Sequence, residues 1–220
     1  MVQEDSEELV QLINPDQESD LKPEDIDGDL PILPIKNTVL FPGVVIPITV
    51  TRQKSIRLIK KAYQGKRMVG VIAQKNKNVE DPAIEDIYRY GTIARIIKMI
   101  VLPDGNTTVI MQGKNRFSVK EFVQEDPNLT ARVDLLIEPV LNLEGEEVQA
   151  LVQSLKDSAS KILRLNPEIP QEAQVALDNI QSPPFLIHFL ASNLNVEVAD
   201  KQRILETPNI IDRGTLLLQY

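Results

Sequence analysis

The chain has no cysteine, no tryptophan and a single histidine among its 220 residues. Without cysteine there is no disulfide, thiolate metal site, iron–sulfur cluster or cysteine nucleophile, which fits a reducing compartment. One histidine removes any two-histidine metal site and leaves one imidazole base at most. Aromatic residues amount to 4%, so the core has to be built from Ile, Leu and Val. No run approaches the ~18 apolar residues of a membrane helix. The first thirty residues are acidic, where a signal peptide would be basic. These absences predict a cytoplasmic protein with no membrane partner.

Charge is unevenly spread. Residues 1–30 hold eleven acids and one lysine, while residues 31–220 hold 21 acids against 23 bases. The net −8 therefore describes the opening segment, whose Asp, Glu, Ser, Gln and Pro content predicts disorder over residues 1–29. Asp25-Ile26-Asp27-Gly28-Asp29 hints at a calcium loop. An EF-hand needs Gly at the sixth position and Glu at the twelfth, and Leu30 and Lys36 stand there, so no calcium site is assigned. Residues 52–77 carry nine Lys or Arg and no acid. Helical spacing puts Ile56, Ile59 and Tyr63 on one face and Lys54, Arg57 and Lys61 on another, with Gly65 as a stop. That basic face is either solvated surface or a docking place for the acidic segment.

From Leu30 to about Pro139 the signals are those of short β-branched strands: Val44–Val50, Met68–Ala73, Thr92–Leu102, Thr107–Gln112, Phe117–Val123 and Leu129–Ile137. Pro103-Asp104-Gly105-Asn106 reads as a hairpin loop and Gly113-Lys114-Asn115-Arg116 as the next turn. One helix interrupts, near residues 53–64. Regular short strands predict an antiparallel, barrel-like sheet rather than βαβ units. Pro31, Pro34, Pro42 and Pro47 cannot donate to a ladder, which makes residues 31–47 edge strand and loop. Phe41-Pro42-Gly43-Val44-Val45 is then an apolar loop, either anchoring the core or exposed as a contact site.

After Gly145 the period becomes helical. Val148, Leu151, Val152, Leu155, Ala159, Ile162 and Leu163 form one stripe, ending at Asn166-Pro167. Pro170 opens a helix to about Ile180. Ser182-Pro183 and Thr207-Pro208 read as N-cap and N1 pairs, and another helix covers roughly 196–206. Residues 210–220 stay periodic without a stop signal, so the chain is read as cut within a helix. The α+β chain thus divides into an acidic tail (1–29), a β-rich domain (30–140) and a helical subdomain (144–220).

Catalytic patterns are missing. There is no Walker-A loop, Gly-x-Gly-x-x-Gly, His-Glu-x-x-His or Gly-x-Ser-x-Gly. Ser158-Ala159-Ser160-Lys161 matches Ser-x-x-Lys, but its Ser-Asp-Asn and Lys-Thr-Gly companions are absent and it falls on an amphipathic helix. His188, within FLIHFL at 185–190, reads as a packed structural histidine, with no spaced Ser or Asp partner. No catalytic residue, metal site or cofactor is assigned.

Residues 30–50, LPILPIKNTVLFPGVVIPITV, resemble the opening signature of the Lon protease N-terminal domain. The Gly91–Ile96 strand GTIARI, MQGKNRFSVKEF at 111–122 and KQRILE at 201–206 follow in the family's order, and the resemblance covers residues 30–220. The chain departs from the pattern at His188, where a small or acidic residue is common, and at Gly214-Thr215, in place of a more helix-favouring pair. The resemblance implies a PUA-like β-rich domain followed by a helical subdomain. It further implies an AAA+ ATPase module with ATP and Mg, and a Ser–Lys dyad protease, both beyond this segment. The implied role is capture of unfolded or damaged polypeptides and support of a homohexamer, the fragment alone being monomeric or weakly dimeric. Sequence-tolerant capture needs shallow apolar surface, and Phe41, Pro42, Val44 and Val45 are the contact candidates. The basic surface candidates are Lys54, Arg57 and Lys61. The alternatives are a free-standing binding adaptor and an RNA-binding module. The acidic total and the lack of aromatic–basic interleaving argue against RNA.

Overall fold

The structure, a computed structural model, describes residues 28–103, 105–138, 142–143, 145–165 and 172–220. The acidic segment 1–27, with the disorder expected of it, lies outside these residues, as do Asn166-Pro167 and Pro170. The chain forms two compact units, the first ending at Ile137 and the second beginning at Glu138.

The first unit holds β1 (Leu30–Ile35), β2 (Val45–Val50), α1 (Gln53–Gln64), β3 (Met68–Gln74), β4 (Ile87–Val101), β5 (Thr107–Gln124) and β6 (Thr130–Leu136). The sheet order is β2-β5-β4-β3-β1-β6, and β6 also pairs with β5. The sheet is therefore barrel-like, but the β1–β6 seam is only Leu30↔Ala131 and Pro31↔Thr130, so it is not a regular closed barrel. One ladder departs from the antiparallel expectation: β1 and β3 run parallel, from Ile32↔Gly70 to Ile35↔Ala73. The chain can return in that sense because β2 and α1 supply the long crossover that parallel strands require.

β1 is also flanked on both sides, which corrects the reading of residues 31–47 as edge and loop throughout. Its prolines stand in registered pairs, Pro31 with Thr130 and Pro34 with Ile72, and are tolerated where their nitrogens are not called on to donate. Ile32 N donates to Leu129 O at 2.9 Å. Pro34, two residues on, turns its nitrogen to the same side, beyond the short β1–β6 seam. Among the described residues β2, with Pro47, is paired on one side only, to β5.

β1 and β3 are buried on both faces, which explains their nearly continuous apolar runs. Leu33, Ile35, Val69 and Val71 join Ile56, Leu58 and Ile59 of α1 in one core. Leu30, Ile32 and Ile72 join Ile93, Phe117 and Ala131 in a second. The aliphatic core read from composition is what the strands enclose.

The turn expected at residues 113–116 is instead a bulge within the single strand β5. Thr92 pairs with Arg116 and Ala94 with Gly113, so Ile93 faces two residues, Lys114 and Asn115. Before the bulge β5 pairs with β2, through Gln112; after it β5 pairs with β6, from Arg116. The turn-like composition reflects this change of partner. The hairpin at 102–106 is as expected, with Leu102 N donating to Asn106 O at 2.8 Å and Gly105 at φ +85°. At the end of α1 the left-handed residue is Arg67 (φ 58°), not Gly65.

The second unit holds α2 (Glu146–Leu165), α3 (Glu172–Asn179), α4 (Pro183–Asn193), α5 (Val198–Glu206) and α6 (Ile210–Leu217). Ser182 caps α4 with Pro183 at N1, as read from the sequence. The Thr207-Pro208 pair is corrected: Asn209 caps α6, accepting from Ile211 N at 2.8 Å, and Thr207 ends α5. Gly214, a departure from family pattern, sits where a β-carbon would lie 2.7 Å from Leu151 Cδ2 and 3.0 Å from Ile187 Cδ1, so its absence lets α6 approach α2 and α4.

Candidate functional site

The loop between β1 and β2 is held flat against the β5 bulge. Gly43 N donates to Gly113 O and Gly113 N to Val44 O, both at 2.9 Å, while Val44 N reaches back to Phe41 O at 3.3 Å. Thr92 Oγ1, on β4, donates to Leu40 O at 2.6 Å in a buried position. Three sequence signatures, LFPG, GTIARI and MQGKNRF, therefore meet at one place. This docking turns Phe41 (0% exposed) and Val44 (7%) into the interior. They are core anchors, which corrects their reading as exposed contacts. A buried ring offers no surface to a partner, and the loop's backbone bonds leave it no other direction. Pro42 and Val45 keep partly open surface.

The basic face of α1 also divides. Ser55, Ile56, Leu58 and Ile59 form the buried stripe, and Lys54, Arg57 and Lys61 are exposed. Lys54 is committed locally: its Nζ lies 3.2 Å from Asp81 and 3.6 Å from Asp126, and the hydrogen bond to Asp81 raises its pKa above the ordinary lysine value. Arg52 donates to Gln74 Oε1 at 2.8 Å, and buried Gln74 in turn donates to Asn76 O and Val79 O, tying the 75–86 loop to the helix. Burial lowers the Arg52 pKa. Arg57, Lys60, Lys61 and Lys66 make no ion pair with described residues. Beside the last two lies a cleft of about 280 Å³ floored by Leu58, Ala62, Met68 and Ile93.

In the helical unit the sequence reading missed Arg213. It is fully buried, donating through Nε to Thr207 O (2.8 Å) and through Nη2 to Glu138 (2.6 Å) and Pro208 O (2.9 Å). Its Nη1 lies 2.8 Å from His188 Nε2. Arginine has no acceptor, so Nε2 carries the lone pair and His188 is the Nδ1–H tautomer. This supports the structural reading of His188. The one signal for Arg213 was a lone cation among Ile210, Ile211, Leu216 and Leu217. Ser158 is exposed, and Ser160 accepts from Gln174 at 2.9 Å, so the Ser-x-x-Lys match assembles no nucleophile. Among the described residues no group of three His, Cys, Asp or Glu could hold a metal, and no helix is long and apolar enough to cross a membrane.

Comparison with known proteins bears on this arrangement. The family model described as the ATP-dependent protease La (LON) substrate-binding domain matches residues 29–220. A Lon protease of Cytophaga hutchinsonii is 53% identical over 212 residues, covering 96% of this chain and 26% of that protein. A Lon protease of Flavobacterium johnsoniae is 44% identical over 98% of this chain and 27% of its own length. The chain thus spans about a quarter of these curated relatives. The N-terminal domain of a Mycobacterium avium complex Lon protease superposes with a TM-score of 0.71 at 20% identity, covering 87% of this chain and 97% of that one. A Lon N-terminal domain protein from Xanthomonas campestris gives 0.60 at 19%, over 88% and 99%. At that identity the structural likeness speaks for the fold.

Proposed function

The chain belongs to the ATP-dependent protease La (LON) substrate-binding domain family, and on that premise we propose that it is the client-capturing segment of a cytoplasmic ATP-dependent serine protease. Its clients are misfolded, damaged and short-lived regulatory proteins. ATP, Mg and the catalytic dyad belong to the ATPase and protease modules of the longer protein, which acts as a homohexamer. The observation that carries this reading is the family match over residues 29–220.

Capture falls to side-chain surface rather than strand addition. β2 is paired on one side only, and Pro47 interrupts its free row of N–H groups. Pro42, on the loop, and Val45, where β2 begins, present apolar surface on a segment fixed from beneath by Gly113 and Thr92. A fixed loop loses little conformational entropy on contact. The test is fluorescence anisotropy with a carboxymethylated, permanently unfolded client. Changing Pro42 and Val45 to Ser weakens client binding several-fold while the thermal midpoint holds. Unchanged affinity refutes these two contacts, and absence of client binding by the unaltered chain refutes the function.

A further inference from the structure

We propose that the acidic segment 1–27 docks in cis on the cleft between α1 and the start of β1. The cleft, about 280 Å³, has an apolar floor of Leu58, Ala62, Met68 and Ile93, with Lys61 and Lys66 at its rim. Both lysines are exposed and neither forms an ion pair with a described residue, in contrast to Lys54, which Asp81 and Asp126 hold. Among the described residues the two rim lysines are thus unpaired above an apolar floor, since Asp29, the one acid in the lining, is held by Arg132. An occupant that fits it carries carboxylates interspersed with aliphatic side chains.

Residues 1–27 have that chemistry. They hold ten acids and one lysine, and Leu9, Val10, Leu12 and Ile13 stand between Glu7, Glu8 and Asp16. The segment also arrives at the right place. Gly28 and Asp29 themselves line the cleft. Asp29 is paired with Arg132 of β6 at 3.4 Å, which fixes where the preceding chain departs. Residues 14–27 can extend to about 45 Å, whereas α1 is roughly 18 Å long, so Leu9–Ile13 can reach any part of the cleft. Tethering gives an effective concentration of about millimolar, enough to populate a weak contact that free peptide would not make. The family match begins at residue 29, whereas the Cytophaga and Flavobacterium relatives align over 96% and 98% of this chain and so into the segment, which lies outside the matched domain but is shared with them. Given the reading as a substrate-binding domain, the cleft is a second client contact beside Pro42 and Val45, and the docked segment competes there with acidic–apolar client segments.

The absence of cysteine makes the test direct. Ser6→Cys in the full chain carries a nitroxide, and methyl signals of Ala62 and Met68 are compared before and after its reduction. Docking predicts several-fold broadening of both, removed by K61E together with K66E, and by Glu4, Glu7 and Glu8→Gln in the segment. Salt at about 1 M, where screening is complete within about 3 Å, also weakens it. Broadening that is absent, or unchanged in both variants, overturns the proposal. So does broadening that appears only between a labelled and an unlabelled copy, since the segment would then reach a second chain. Client affinity separates the two claims. If docking is lost in the Gln variant and client affinity rises, the competition holds; if affinity is unchanged, the competition is wrong and docking stands by itself.

Discussion

Gly113 passes so close to Phe41 that a β-carbon on it would lie 2.2 Å from the Phe41 carbonyl oxygen. The obstacle is backbone, pinned by two hydrogen bonds of 2.9 Å between the loop and Gly113, and cannot swing aside like a side chain. The β5 bulge therefore sets the height of the signature loop, and with it the burial of Phe41 and the exposure of Pro42 and Val45.

Gly113→Ala should consequently destabilise the first unit by about 3 kcal/mol, the upper range for overpacking. Urea unfolding followed by tyrosine fluorescence measures it. A loss below about 0.5 kcal/mol would mean that the loop lifts freely.

Arg213 and His188 give a graded series. His188→Gln retains an acceptor for Nη1 and should cost about 1 kcal/mol, whereas His188→Leu leaves a buried guanidinium donor unmet and should cost about 2–3 kcal/mol. Arg213→Met should cost more than either, because four partners lose a donor together. Equal losses for Gln and Leu would show that the hydrogen bond contributes nothing. Imidazole nitrogen shifts check the Nδ1–H tautomer independently.

Pro47 guards the open edge of the sheet. The ladder turns the backbone of Val45, Pro47 and Thr49 away from β5, and proline withholds the central N–H. Pro47→Val restores that donor and should produce concentration-dependent association in sedimentation velocity. A monomer at all concentrations would show that another feature protects the edge.

Lys201 provides a pH dependence. Its Nζ donates to Ser192 O at 2.6 Å, near the C-terminus of α4, and burial lowers its pKa below 10.5. Between the folded and unfolded pKa values the unfolded chain binds more protons, so this group makes stability rise with pH across that window. Lys201→Met should flatten the alkaline rise approaching pH 10.5 while lowering stability at neutral pH, where the carbonyl loses its donor. An identical pH profile would remove Lys201 from the account.

Much of this was legible in the sequence because local rules dominate it. The α1 helix, the 102–106 hairpin, the Ser182 cap and the α2 stripe at Val148 and Leu155 follow from period and turn chemistry, whereas Ile162, read into the same stripe, is 60% exposed. The failures share a different cause. Gly113 and Asn115 carry turn composition, but β5 continues through them since β2 and β6 take successive halves of the same strand. Phe41 could be read as either core anchor or exposed contact because nothing local shows that Gly113, some seventy residues later, receives its loop. Arg213 was invisible for the same reason: its partners His188, Thr207 and Glu138 converge only in three dimensions.

The central claim is that this segment captures unfolded polypeptide. Its most direct test is a methyl NMR titration of the full chain with a carboxymethylated, unfolded client. The account predicts saturable shifts concentrated at Val45 and its neighbours Val44 and Ile46, with the helical-unit signals of Leu186 and Leu205 unmoved. Client addition that shifts no methyl group, or that shifts only the helical unit, would contradict it.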